Sequence, residues 1–131
     1  MGIFLRQKSD ERRDDMDRIT LISALRIGEV FENPRKGTST ISAITETQIV
    51  YIRGGSQLRL PIDVAVSVIN DFKGKHCTSN DLRSYHKAFA THGCNCTFLF
   101  RIVEKLDLIE GGIKGTGTAG SPFEVDFKTK Y

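Results

Sequence analysis

The feature that most constrains the fold is a series of three short runs rich in β-branched residues between Thr38 and Leu60. The runs read TSTISAIT, QIVYIR and SQLRLP, and they are separated by Thr45-Glu46-Thr47 and by Gly54-Gly55. A Gly-Gly pair between two such runs favours a tight hairpin, because both central residues of that turn need positive φ. The pattern therefore predicts a three-stranded antiparallel meander.

The residues before the meander combine a polar segment with a partly helical pattern. Residues 1–15 are polar and mixed in charge, which is typical of a solvated tail. No amino-terminal signal peptide is expected, and no apolar run approaches the ~18 residues that cross a bilayer. The sequence thus predicts a cytoplasmic protein without a membrane partner. A helix over residues 16–31 is predicted from apolar residues at helical intervals, namely Met16, Ile19, Ile22 and Leu25.

From Pro61 onward the pattern predicts helices. Pro61 and Asp63 suit the first turn of a helix that ends near Phe72, although alternating apolar residues leave a strand open there. Thr78-Ser79-Asn80-Asp81 is typical of a capped helix start, and a helix of about three turns is expected behind it. A third helix is predicted from about Asn95 to Leu106.

Two strand-like runs and a glycine-rich loop follow the third helix. The runs cover Leu108–Ile113 and Phe123–Phe127. Between them, Gly115 to Gly120 matches a dinucleotide-binding glycine pattern. That motif should open a helix, whereas Pro122 and a strand follow here. The loop is therefore interpreted as a flexible hairpin tip whose amides, beside Lys114, could contact a phosphate.

This order of elements resembles a winged helix-turn-helix domain over residues 61–128. The resemblance rests on the Thr78 helix start, the His92-Gly93 turn, the apolar helix that runs into Lys105-Leu106-Asp107-Leu108-Ile109, and the hairpin from Gly111 to Pro122. It implies that the helix after the turn enters the major groove of duplex DNA while the hairpin touches the backbone.

The expected fold class is α+β. An amino-terminal helix and a small antiparallel β-meander, residues 16–60, would pack with a winged-helix-like module, residues 61–131, as one compact unit. The tail at residues 1–15 would precede them.

Charge points to the carboxy-terminal part as the anion-facing surface. The formal net charge is +3, and residues 73–131 contain nine basic and six acidic residues. The alternative is that the cations there are ordinary solvent-facing residues. Under the DNA-binding interpretation, the residues expected to read or clamp are Asn95, Thr97, Arg101 and Lys105. Those expected to hold phosphates are Lys73, Lys75, Lys87 and Lys114.

The segment His92-Gly93-Cys94-Asn95-Cys96 raises the question of a metal site or a reactive thiol. Structural zinc usually takes pairs of ligands separated by two to four residues, whereas one residue separates Cys94 from Cys96. Adding His76 and Cys77 gives an adjacent pair whose side chains point apart. The favoured interpretation is that the cysteines behave as small apolar residues that seat the third helix. Zinc binding and a thiol nucleophile assisted by His92 stay open as alternatives.

The leading hypothesis is a non-catalytic nucleic-acid-binding protein, with duplex DNA as the partner and no cofactor, acting as a small regulator or accessory factor. The alternative is a protein-binding adaptor or inhibitor, such as one encoded by a mobile element. It would act through the edge of the meander or the Phe-rich third helix.

Overall fold

The computed structural model describes residues 15–131, and it has the α+β class that the sequence predicts. Of the expected polar tail at residues 1–15, all but Asp15 lies outside the described residues. Within the described range, no helix combines the length and the apolar character that a membrane crossing requires.

Two antiparallel sheets and five helices make up the described fold. The first sheet has the order β1-β2-β3-β4, and the second has the order β5-β7-β6. The strands are β1 (Val30–Glu32), β2 (Thr38–Ile44), β3 (Gln48–Arg53), β4 (Ser56–Pro61), β5 (His76–Thr78), β6 (Ile109–Lys114) and β7 (Glu124–Phe127). The helices are α1 (Arg18–Ser23), α2 (Ile62–Asp71), α3 (Ser79–Tyr85), α4 (Lys87–Thr91) and α5 (Cys94–Lys105).

The predicted meander is confirmed as β2, β3 and β4. Gly54 and Gly55 both have positive φ, 54° and 88°, and Arg53 pairs with Ser56 across the turn. These values explain why glycine stands at both central positions of the hairpin.

The prediction of one helix over residues 16–31 is wrong, because only α1 is helical there. After α1 the backbone turns toward the sheet, since the amide of Gly28 donates to the carbonyl of Ile41 and the amide of Ile41 donates to that of Glu29. Gly28 adopts a φ of 89°, which permits the turn. The following residues form β1, an additional edge strand that pairs with β2.

The helix predicted behind Thr78 begins as expected but is divided in two. Thr78 and Asp81 form a reciprocal cap, in which each side chain accepts a hydrogen bond from the other residue's amide, at 3.0 and 2.9 Å. The chain leaves the helix at His86, whose Nδ1 accepts from the amide of Ala88 and so caps α4. The helix predicted near Pro61 and the third helix are confirmed as α2 and α5, each within one residue of the expected bounds.

Helix α5 joins the first sheet to the rest of the core. The ring of Phe98 stacks on Tyr51 of β3 at 3.8 Å between centroids and meets Phe31 of β1 edge-on at 5.7 Å. On the other side of the molecule, Leu82 of α3 and Val125 of β7 belong to the same buried cluster. The meander therefore covers one side of α5, and this placement decides which parts of the helix stay open.

Candidate functional site

One cavity of the described chain is a cleft that we call the arginine cleft, with Arg35, Arg53 and Arg83 in its lining. Its volume is about 310 Å³. Arg35 lies in the β1–β2 connection, Arg53 ends β3, and Arg83 lies on α3. Residues of the first turn of α5 and of the β6–β7 loop complete the walls. The cleft therefore exists only where five segments that are distant in sequence meet.

Local structure explains where two of the arginines lie. Side chains alternate along a strand, so Arg53 projects from the same face of β3 as Tyr51, which packs on α5. Arg35 lies in a turn that Asn33 stabilises. The backbone amide of Asn33 donates to the carbonyl of Gly37 at 2.9 Å, and its side-chain oxygen accepts from Ser39 at 2.7 Å. The fold thus brings the two guanidinium groups to one end of the sheet.

Arg83 is held at the start of α5 by specific contacts. Its Nη1 donates to the side-chain oxygen of Asn80 at 3.1 Å. A Cβ added at Gly93 would come within 3.1 Å of the Arg83 Nη2, so glycine leaves room for the guanidinium group. The helix itself begins at Cys94 without a side-chain cap and without an acidic residue in its first turn. The positive end of the α5 dipole therefore adds to the charge of Arg83.

The charge of the arginine cleft is not compensated by nearby carboxylates. Within residues 15–131, no Asp or Glu lines the cleft and no ion pair joins Arg35, Arg53 or Arg83 to a carboxylate. The lining also includes apolar residues, among them Pro34, Pro122 and the half-buried Phe123. Cationic and apolar residues in the lining of one cleft suit an anionic ligand that carries a flat apolar group.

Asn95, expected to read bases, is fully buried and bonded within the protein. The hydroxyl of Tyr51 donates to its side-chain oxygen at 2.6 Å, and its amide donates to the carbonyls of Arg59 and Ala88 at 3.0 Å each. These bonds link β3, β4 and α4 to α5. Asn95 therefore cannot reach a ligand while the core is closed. Thr97, by contrast, is half-buried and lines the arginine cleft.

Arg101 and Lys105, the other two residues expected on the reading face, bind the amino-terminal part of the chain. The Nε of Arg101 donates to the carbonyl of Glu32 at 2.7 Å, and its Nη1 pairs with Glu104 at 2.6 Å. Lys105 donates to the carbonyl of Ala24 at 2.6 Å and pairs with Glu29. Both cations thereby fasten β1 and the segment before it to α5.

The four lysines expected to hold phosphates do not line the cleft. Lys73 pairs with Asp15 at 3.6 Å and lies 5.0 Å above the Tyr131 ring, while Lys114 lies 3.5 Å from Asp126. Lys75 and Lys87 are exposed, one before β5 and the other at the start of α4. The predicted phosphate contacts are therefore separate from the arginine cleft.

The three cysteines differ in their surroundings. Cys77 and Cys96 are buried, which for Cys96 agrees with the packing interpretation made for Cys94 and Cys96, and Cys96 donates to the carbonyl of Ser79 at 3.7 Å. Burial raises the pKa of the Cys96 thiol to about 11 and also raises the pKa of Cys77. Cys94 is half-buried and lines the arginine cleft. Among the described residues, no group of three or more His, Cys, Asp or Glu side chains is placed to hold a metal ion.

The glycine-rich loop is closed by hydrogen bonds within the β6–β7 hairpin. The amides of Thr116 and Gly117 both donate to the carbonyl of Ser121, at 3.0 and 2.9 Å, so neither is directed at a ligand. Gly115 and Gly117 have positive φ, and a Cβ at Gly117 would lie 2.5 Å from the Phe123 ring. Glycine here permits close packing of the loop against the wall of the cleft.

Sequence reasoning missed Arg35 and Arg53 as site residues. No sequence spacing connects Arg83 to the other two, because Arg83 lies on α3 whereas Arg35 and Arg53 belong to the first sheet and its β1–β2 connection. The available signal was weak: the residues that flank Arg53 between Thr47 and Pro61 include no acidic side chain. Comparisons with protein-family models, with curated proteins and with solved structures each found no match to this chain.

Proposed function

We propose that this protein is a non-catalytic nucleic-acid-binding factor and that the arginine cleft is its phosphate-binding site. The observation that carries the proposal is the convergence of three arginines without a carboxylate among the residues that line the cleft. Guanidinium groups bind phosphate oxygens in bidentate geometry, and a concave cationic surface concentrates polyanions. The proposed location is the cytoplasm, where reducing conditions keep cysteines as thiols.

The order of elements in the carboxy-terminal half supports the resemblance to a winged helix-turn-helix domain. Helix α2 is followed by β5, by α3 and α4, by the longer α5 and by the β6–β7 hairpin, with β7 between β5 and β6. In such domains the helix after the turn and the hairpin approach the nucleic acid together. Here the first turn of α5 and the β6–β7 loop meet at the arginine cleft, which supports that position for the contact.

The test is fluorescence anisotropy with labelled random-sequence oligonucleotides, in both single-stranded and duplex form, from about 20 to about 200 mM salt. We expect binding that weakens as salt rises, because phosphate neutralisation releases counterions. Arg83→Ala should weaken binding about tenfold and reduce the slope of log K against log salt by about one phosphate contact. The matched control is Arg26→Ala, which removes the same charge from an exposed arginine outside the cleft.

Two results would contradict the proposal. One is the absence of salt-dependent binding to either form of oligonucleotide at the lowest salt concentration. The other is equal loss of affinity in Arg83→Ala and Arg26→Ala, which would assign the binding to net charge and not to the cleft. Far-ultraviolet circular dichroism of both variants checks that they are folded.

A second candidate function is the protein-binding adaptor. The observation that favours it is a set of exposed apolar side chains at the amino-terminal edge: Ile19 is 76% exposed, Ile27 68% and Val30 58%. Val30 belongs to the edge strand β1, whose outer backbone groups could pair with a partner strand. Replacement of Val30 by Lys should abolish co-purification of such a partner while leaving oligonucleotide binding unchanged.

A further inference from the structure

The arginine cleft has the size of a pocket for one small ligand. Its volume of about 310 Å³ lies at the lower end of the range of ~300–1,000 Å³ found for small-molecule sites. A base stacked and paired inside a duplex is covered by its neighbours and by its partner strand. A cleft of this size can therefore enclose a nucleotide only if that nucleotide is unpaired.

The lining of the cleft includes groups that suit both ends of a nucleotide. Arg53 and Arg83 provide the charge for a phosphate, and Phe123 and Pro122 provide an apolar surface for a base. Aromatic side chains provide stacking platforms for bases in proteins that bind single strands. The hydroxyl of Thr97 and the amide of Asn80 add polar groups beside the apolar wall.

The surface that a duplex would need is largely covered by the protein itself. Insertion of α5 into a major groove requires an open helix face. The meander packs on α5 through Phe98, and Arg101 and Lys105 hold the amino-terminal segment against its second half. Only the first turn of α5, with Cys94 and Thr97, lines the cleft, and that turn is too short to follow a groove.

From these observations we infer that the arginine cleft binds one unpaired nucleotide with its phosphate, so that the protein selects single-stranded over duplex nucleic acid. This inference rests on the proposed function and specifies its substrate class. The phosphate lies between the guanidinium groups of Arg53 and Arg83, at the positive end of α5. The base lies against Phe123.

The experiment compares three labelled oligonucleotides of one sequence: a single strand, the same strand in a blunt duplex, and the duplex with an unpaired overhang. Affinity is measured at fixed salt for the wild-type chain, for Arg53→Ala and Arg83→Ala, and for the control Arg26→Ala. We expect the single strand and the overhang to bind at least about tenfold more tightly than the blunt duplex. We expect this preference to disappear in the two cleft variants and to persist in the control.

Alkylation of Cys94 gives an independent readout of where the nucleotide lies. Cys94 lines the cleft, whereas Cys77 and Cys96 are buried. Iodoacetamide labelling followed by mass spectrometry should be slowed by a saturating single strand and left unchanged by the same concentration of blunt duplex. Protection by the single strand would place it over the first turn of α5.

The outcomes separate the inference from the proposed function. Equal or tighter binding of the blunt duplex, lost in Arg83→Ala, would overturn the single-strand inference and leave nucleic-acid binding at the cleft intact. Single-strand preference that persists in both cleft variants, without protection of Cys94, would place the site elsewhere and overturn the inference. No salt-dependent binding of any of the three oligonucleotides would overturn the proposed function itself.

Discussion

The hydrogen bond between Tyr51 and Asn95 allows a prediction about a single buried pair. Tyr51→Phe removes the hydroxyl that donates to the Asn95 side-chain oxygen and leaves that oxygen buried without this donor. We expect the free energy of unfolding to fall by about 1–2 kcal/mol, the cost of an unsatisfied buried polar group. Urea denaturation followed by circular dichroism measures the change.

The matched control for this prediction is Tyr85→Phe. The Tyr85 hydroxyl donates to the carboxylate of Asp71 at 2.6 Å, but Asp71 is exposed and water can replace the donor. The expected change is within about 0.5 kcal/mol. Equal losses in the two variants would mean that burial of Asn95 does not determine the effect.

Thiol reactivity gives a second prediction at the scale of single residues. At about pH 8 the thiols of Cys77 and Cys96 should stay protonated and inaccessible, because burial raises the pKa of both. Cys94 should therefore be alkylated first in the folded chain, and all three cysteines should react in denaturant. Mass spectrometry of peptides after brief iodoacetamide treatment tests the order, and early labelling of Cys96 would contradict the assigned burial.

Particular residues show what the sequence could reveal about the site. Thr97 and Asn95 are both polar, and both were expected to contact the nucleic acid. Thr97 lines the cleft, whereas the side chain of Asn95 is hydrogen-bonded within the core. A polar residue up to three positions before a buried apolar run can point either into the core or into a cleft. Only its packing partners decide between these two directions. Arg35 carries no local signal and Arg53 only a weak one, because their convergence depends on how the first sheet packs on α5.

At the scale of elements, the β6–β7 loop gives a prediction with an internal control. Gly117 has a φ of 81° and lies against the Phe123 ring, so Gly117→Ala should destabilise the chain by about 2 kcal/mol through strain and displacement of that ring. Gly120 has open space around its Cβ position, and its φ is not positive, so Gly120→Ala should be near neutral. Thermal unfolding of both variants measures the difference, and equal stability would show that the loop tolerates rearrangement.

Elements with a strong local signal were predicted well, and short elements were not. The meander was readable from β-branched runs and Gly54-Gly55, and α3 from the reciprocal cap of Thr78 and Asp81. Strands β1 and β5 have three residues each, which is too short for a periodic pattern. Val30–Glu32 forms a strand because it pairs with the edge of β2. This pairing depends on tertiary structure and not on the local sequence.

At the scale of the whole molecule, one buried cluster includes residues of the meander and of the carboxy-terminal half, such as Tyr51 and Val125. We therefore expect a single cooperative unfolding transition. Tyrosine fluorescence, to which Tyr51 contributes, and far-ultraviolet circular dichroism should give the same midpoint in urea. Two separated midpoints would indicate that the meander unfolds independently of the helices.

The arginine cleft has a thermodynamic consequence that follows from its composite walls. Because Arg35, Arg53 and Arg83 come together only in the folded chain, a ligand that needs all three binds the native state and not the unfolded one. Mass action then makes occupancy a source of stability, about 2.7 kcal/mol at a ligand concentration one hundred times the dissociation constant. In the presence of a protease, the lifetime of the chain would therefore increase with the concentration of its ligand.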